Sequence, residues 1–275
     1  MSRHTLHRRH YRGADGTDLA YGEIGPSDGR TVVLCHGLAA AGRQFDTDAA
    51  YFAALGYRVL VPDLRGHGQS GIPAPLGPQS FAISALADDM VAMLEHAGTG
   101  RVHWVGNSLG GIVALQLLGG QWSRFASLAL FGTAFSLNLP RMLGPLLPGV
   151  YRALGRDRLA SITAASTTRH KPARPLIANM VRRFDPQVGA AIADHVRRYD
   201  LHDNALAFAG PLLVLVGGRD HAVNLALRPS LRRHAGQAGW TVVELPEAGH
   251  CANLDASDNW RNTLLEFWSG ASAAV

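Results

Sequence analysis

Ser108 stands in the run Gly106-Asn107-Ser108-Leu109-Gly110, behind the apolar β-type segment Val102-His103-Trp104-Val105. Ahead of it, Ile112, Val113, Leu115, Leu117 and Leu118 recur at helical spacing. Strand, sharp turn and helix around G-x-S-x-G is the context of a nucleophile elbow, which lifts a serine hydroxyl above the end of a strand. So tight a turn strains the serine backbone, and neighbouring Cβ atoms would collide, which explains the flanking glycines. The helix that begins there aims backbone N–H groups and its positive dipole end at the same spot. The chemistry this suits is attack of a hydroxyl on an acyl carbon.

A serine hydroxyl is a weak nucleophile at neutral pH. It needs a base within hydrogen-bond reach, and the base needs an acid that fixes its tautomer. In open α/β sheets such partners lie just past the carboxyl ends of other strands. Two segments fit. Pro211–Val216 runs into Gly217-Gly218-Arg219-Asp220, and Thr241–Leu245 runs into Pro246-Glu247-Ala248-Gly249-His250. Asp220 is therefore the expected acid and His250 the expected base, in the chain order Ser, Asp, His.

The sequence holds 13 histidines, so His250 has rivals. His103 lies inside a strand, His221 directly follows the acid, and His67 sits in a glycine-flanked loop where it suits a structural hydrogen bond. His36 precedes Gly37 and is placed to shape a turn. Rival acids are Glu247, in the same loop as the base, and Asp255, expected to cap the last helix.

The tetrahedral oxyanion requires donors. The N–H of Leu109, just after the nucleophile, is one. The N–H of Leu38, after the close-approaching Gly37, is the expected second. His36, Asn107 and Cys251, adjacent in sequence to these groups, are expected at the substrate pocket together with Met142, Leu143 and Met180. Neither Cys35 nor Cys251 sits on an elbow, and both are expected as buried free thiols. No H-x-x-x-H or C-x-x-C spacing and no P-loop is present, so neither a metal nor a cofactor is expected.

The elements that must position these groups follow from periodicity. Residues 10–25 alternate loosely around Ala14-Asp15-Gly16 and predict a leading hairpin. Short β-runs at Thr31–Cys35, Tyr57–Pro62, Val102–Val105, Phe125–Phe131, Pro211–Val216 and Thr241–Leu245 alternate with helical patterns at Phe45–Leu55, Phe81–His96 and Leu254–Trp268. That alternation predicts an α/β fold with a mostly parallel sheet covered on both faces. It breaks between Phe135 and Phe208, where six prolines punctuate short helical patches and no β-run is expected. Residues 1–135 and 206–275 are thus expected to form the core, and 136–205 a helical cap over the strand ends.

Length and composition agree. The 275 residues are 47% hydrophobic and 17% charged, which suits one large, well-buried α/β unit. Net charge is +5, concentrated in Ser136–Asn204 with 11 basic and 5 acidic residues. These arginines interleave with apolar residues and no nucleic-acid motif accompanies them, so nucleic acid is not an expected partner. The basic span instead suggests an anionic substrate. The basic, His-rich Met1–Gly16 has no apolar core of a secretory leader, no span demands a membrane, and a cytoplasmic location is expected. Nothing in the sequence fixes an oligomeric state.

Taken in order, His36-Gly37, Asp63-Leu64-Arg65-Gly66-His67-Gly68-Gln69-Ser70, Gly106-Asn107-Ser108-Leu109-Gly110-Gly111, Gly218-Arg219-Asp220 and Gly249-His250 resemble the α/β-hydrolase family, in particular its capped serine esterases and lactonases. The resemblance implies Ser108 as nucleophile, His250 as base, Asp220 as acid and the Leu38 and Leu109 N–H groups as oxyanion hole. It also implies a small-molecule ester or lactone as substrate. Asn107 before the nucleophile is similar to the carbon–carbon hydrolases of aromatic ring-cleavage pathways, which makes cleavage of a vinylogous diketone the alternative. Leu38-Ala39-Ala40-Ala41-Gly42 and Cys251 depart from that branch, which carries Gly-Pro-Gly and a tryptophan at those places.

Overall fold

The computed structural model describes residues 6–139 and 143–273, with backbone alone at 143–148, 150–152 and 271–273. Strands β1 (His7–Arg12) and β2 (Asp18–Ile24) form the leading hairpin. Then come β3 (Thr31–Cys35), helix α1 (Asp46–Ala54), β4 (Arg58–Asp63), α2 (Ile83–His96), β5 (Val102–Asn107), α3 (Leu109–Gln121) and β6 (Phe125–Phe131). After a long excursion the chain returns as β9 (Leu212–Gly217), α8 (His221–Arg233), β10 (Trp240–Leu245), the single turn α9 (Ala252–Asp255) and α10 (Ser257–Ala273). The eight-stranded sheet runs in the order β1-β2-β4-β3-β5-β6-β9-β10. The β1–β2 and β2–β4 pairs are antiparallel, and every other pair in this sheet is parallel.

The short apolar strands have no polar face because both of their faces are covered. Val33 and Cys35 of β3, Trp104 of β5 and Val214 of β9 pack toward α2, α3 and α8. Their neighbours Val32, Leu34, Val105 and Leu215 pack against α1 and α10, where Phe52, Trp260 and Trp268 are fully buried. No helix among the described residues is long and apolar enough to cross a membrane.

The excursion contains α4 (Leu143–Thr167, kinked at Gly155), α5 (Arg174–Arg183), α6 (Pro186–Val196) and α7 (His202–Ala207). It also holds two strands where none was expected. β7 (Ser136–Asn138) and β8 (Arg198–Asp200) pair antiparallel at the points of exit and return. Three residues leave no readable alternation, so only the pairing of distant ends makes them strands. Ile177, Met180 and Val181 of α5 and Ala160 and Ala164 of α4 pack with Ala41 and Cys251, which lays these helices over the carboxyl ends of the sheet.

One buried charge pair holds the loop that follows β4. Arg65 is 2% exposed and makes a two-pronged contact to Asp89 of α2, which is fully buried, with both N···O distances 2.6 Å. It also donates to Ser80 O and to Asp15 in the β1–β2 turn. Removing one partner of such a pair leaves an uncompensated buried charge, at a cost of about 3–5 kcal/mol. Asp89→Ala is expected to lose stability on that scale in urea unfolding. A midpoint unchanged from wild type would contradict the assignment.

Candidate active site

Ser108 has φ 51° and ψ −114°, a conformation that L side chains rarely adopt. Such strain costs about 1–3 kcal/mol and persists only where packing enforces it. Here the first turn of α3 presses on the end of β3: a Cβ on Gly110 would lie 2.3 Å from Cys35 O. Ser108 N–H donates to Phe131 O, and Ser108 O accepts from Gly111 and Ile112 N–H groups, so both flanks of the turn are tied.

Asp220 and His250 meet across 30 residues, with Oδ2 2.8 Å from Nδ1. Main-chain bonds zip their loops together: Gly218 N–H donates to Leu245 O and Arg219 N–H to Ala248 O. The imidazole lies over the backbone of Gly132, where a Cβ would stand 3.0 Å from the ring. Ser108, His250, Leu38, Asn107, Met180 and Cys251 all line one cavity of about 120 Å³. Leu109 is buried at the head of α3. Among the described residues neither its N–H nor that of Leu38 has an acceptor. Met142 and the side chain of Leu143 lie outside the described residues.

His36 is not a pocket residue. It is fully buried, and both ring nitrogens are engaged with backbone. Its Nε2 accepts from Leu64 N–H, which makes Nδ1 the donor to Gly37 O at 2.8 Å. A trans peptide points its C=O and N–H in opposite directions. Holding Gly37 O therefore turns the Leu38 N–H away from the imidazole. His67 acts on the same loop: Nδ1 donates to Arg65 O and Nε2 accepts from Ala39 N–H, at a residue with φ 58°. The two rings pack 5.0 Å apart.

Of the remaining rivals, His221 is exposed at the start of α8, and the others are engaged elsewhere. His103 is bonded to Ser127 Oγ at 2.8 Å, and burial pushes its pKa down to about 4. Glu247 pairs with Arg219. Both cysteines are free and buried, and burial raises the Cys251 thiol to about 12. Asp255 does not cap the last helix. Its carboxylate accepts from Thr168 Oγ1 (2.5 Å), Arg169 N (2.8 Å), His170 N (3.0 Å) and Gly249 N (2.7 Å). It thereby fastens the end of α4 to the residue preceding His250. The one signal for this was its distance of five residues from the histidine.

Sequence reasoning missed a buried polar chain behind Ser108. Asn107 Nδ2 donates to Phe131 O and to His250 O, so its Oδ1 is an acceptor. Asn253 Nδ2 donates to Asp48, so its Oδ1 is an acceptor too. Gln44 Nε2 donates to both, and Arg261 closes the chain on Asp48 at 2.7 Å. The chain joins β5, α1, the His250 loop and α10. It locks the Asn107 amide as scaffold.

Burial lowers His36 to about 4 and His67 to about 3, so both are neutral in the fold. The unfolded chain binds their protons first, near pH 6.5. Their stabilising contribution is full above about pH 6.5 and is lost progressively down to about pH 4 for His36 and about pH 3 for His67. Urea midpoints are expected to fall between pH 7.5 and pH 5, and to fall less in His67→Gln. Equal slopes in the two proteins would remove His67 from this account.

Residues 30–257 match the alpha/beta hydrolase fold family. A protein of Variovorax paradoxus named "Putative carbamate hydrolase RutD" is 30% identical, covering 93% of this chain and 97% of its own. A thermophilic esterase of Thermogutta terrifontis superposes with a TM-score of 0.83 at 24% identity, over 96% of this chain and 99% of that one. The enol-lactonase of Burkholderia xenovorans does so with a TM-score of 0.77 at 24% identity, over 95% and 100%. By sequence match, sheet topology and the elbow between β5 and α3, the chain belongs to the alpha/beta hydrolase fold family.

Proposed function

We propose that the protein is a serine hydrolase that cleaves a carboxylic ester or lactone through an acyl-enzyme. The observation that carries this reading is the Asp220–His250 contact at 2.8 Å, with His250 lining the same cavity as the strained Ser108. With Nδ1 bonded to Asp220, Nε2 is the nitrogen left to take the Ser108 proton as Oγ attacks the acyl carbon. The oxyanion is received by the Leu38 and Leu109 N–H groups. His250 then returns the proton to the leaving alkoxide, activates a water, and Ser108 is regenerated as the acid departs. The relatives named as an esterase and an enol-lactonase support acyl-carbon chemistry.

Residues 136–205 act as the cap in this reading. They cover the strand ends with α4 and α5, and the small cavity beneath favours a short acyl group. The carbon–carbon alternative leaned on Asn107, whose amide is committed to Phe131 O, His250 O and Gln44. That leaves nothing specific in its favour.

Turnover of p-nitrophenyl butyrate is expected in wild type and to fall at least about a thousandfold in kcat for Ser108→Ala, as when a triad serine is removed. A ring-fission dienoate is expected to be inert. Equal rates in the two proteins, or preferential cleavage of the dienoate, would reject the reading.

A further inference from the structure

A second, larger cavity adjoins the one that holds Ser108. It encloses about 400 Å³ between α5 and the loops after β3 and β4, and the two cavities share Ala40 and Met180 as common wall. Its polar lining is unbalanced toward donors. Asp63 is already satisfied by Gly42 N, Gln69 N and Arg8. Asp185 caps α6 through Gln187 N, where the helix dipole offsets its charge. Arg8 is neutralised by Asp63.

What remains is the neutral amide of Gln69, which is exposed, and the donors Arg43, Asn179 and Arg183. Arg43 donates to Asn179 Oδ1 at 3.3 Å, and because a guanidinium can only donate, the amide oxygen must face it. That frees Asn179 Nδ2 as a further donor. Arg183, four residues on along the same face of α5, has no acidic partner among the described residues. Its neighbour Arg182 differs: Nε lies 2.5 Å from Asp157, and it does not line the cavity. Met180, 5% exposed, is the flexible element between the cavities, and a thioether side chain adapts its shape at low cost.

We propose that this cavity is the subsite for the leaving-group half of the substrate and that it takes a carboxylate through Arg43, Asn179 and Arg183. The inference rests on Ser108 as nucleophile. A short acyl group occupies the small cavity, the scissile bond lies at Ser108, and the alcohol half passes Met180 with its anionic end among the three donors. The substrate class is thus an ester of a short acid with a hydroxy-carboxylate. Arginine suits this role because its planar fork binds carboxylate through two parallel hydrogen bonds.

The test compares 4-acetoxybenzoate with its neutral isostere 4-acetoxybenzamide, which present the same acetyl group and differ in charge at the far end. In wild type the kcat/KM ratio of anion to amide is expected to exceed one by tenfold or more. It should fall at least tenfold in Arg183→Glu and stay at the wild-type value in Arg182→Glu. A wild-type ratio near one overturns the subsite. So does an equal fall in both variants, which would mark a general field of the basic cap rather than a built contact. Should neither ester be cleaved, the nucleophile assignment fails on its own. Calorimetric binding of 4-acetoxybenzoate to Ser108→Ala, abolished by adding Arg183→Glu, would then uphold the subsite, and no binding would reject it.

Discussion

Parallel pairing of β3, β5, β6, β9 and β10 is the constraint from which the site follows. In register, Cys35 pairs with Gly106, Asn107 with Phe131, Phe131 with Leu215 and Leu245 with Gly217. Each pair is the last or nearly the last of its strand. The chain segments that follow must therefore emerge at one rim, whatever their distance in sequence. The loop after β3, the elbow, Gly132, Asp220 and His250 are successive products of that single geometric fact. The helices on the two faces contribute by burying the strands so completely that the register has no alternative.

Convergence alone does not make a reactive serine. The same fold holds Asp200, His202 and Ser230 at 2.7 and 2.8 Å, with the residue types and spacings of a catalytic triad. Ser230 sits inside the regular helix α8, 6% exposed, with Ala226 O within reach of its hydroxyl. It has no strained turn beneath it and no helix N-terminus aimed at it. His202 there serves to join the returning chain to α8. What distinguishes Ser108 is the positive φ enforced by glycine packing, unspent N–H groups beside it and a cavity above it.

Precision at that serine comes from buried polar groups whose hydrogen bonds are spent on the scaffold. His36 and His67, neutral because burial keeps them so, fix the loop carrying Leu38 and Ala39. The Asn107–Gln44–Asn253–Asp48–Arg261 chain holds the elbow against the His250 loop. Asp255 fastens the same loop to the end of α4, so the helices over the site and the histidine beneath them are mechanically one piece. Such networks stabilise only when nearly every member is paired, which is why they specify one arrangement.

The sequence by itself determined the candidate groups of the site and their order. Short continuous apolar runs and apolar residues at period 3.6 place the strands and helices, and G-x-S-x-G together with the two post-strand loops singles out Ser108, Asp220 and His250. These are local signals, carried by residues a few positions apart. The tertiary structure alone decided which way side chains face. It turned His36 inward, spent the Asn107 amide on two carbonyls, made Asp255 a tether instead of a cap and paired the three-residue strands β7 and β8. It also separated Arg183, which lines a cavity, from the adjacent Arg182, which pairs with Asp157. Each of these depends on contacts between segments 24 to 143 residues apart. No periodicity records such contacts, because a side chain's partner is fixed by packing in three dimensions and not by its neighbours along the chain.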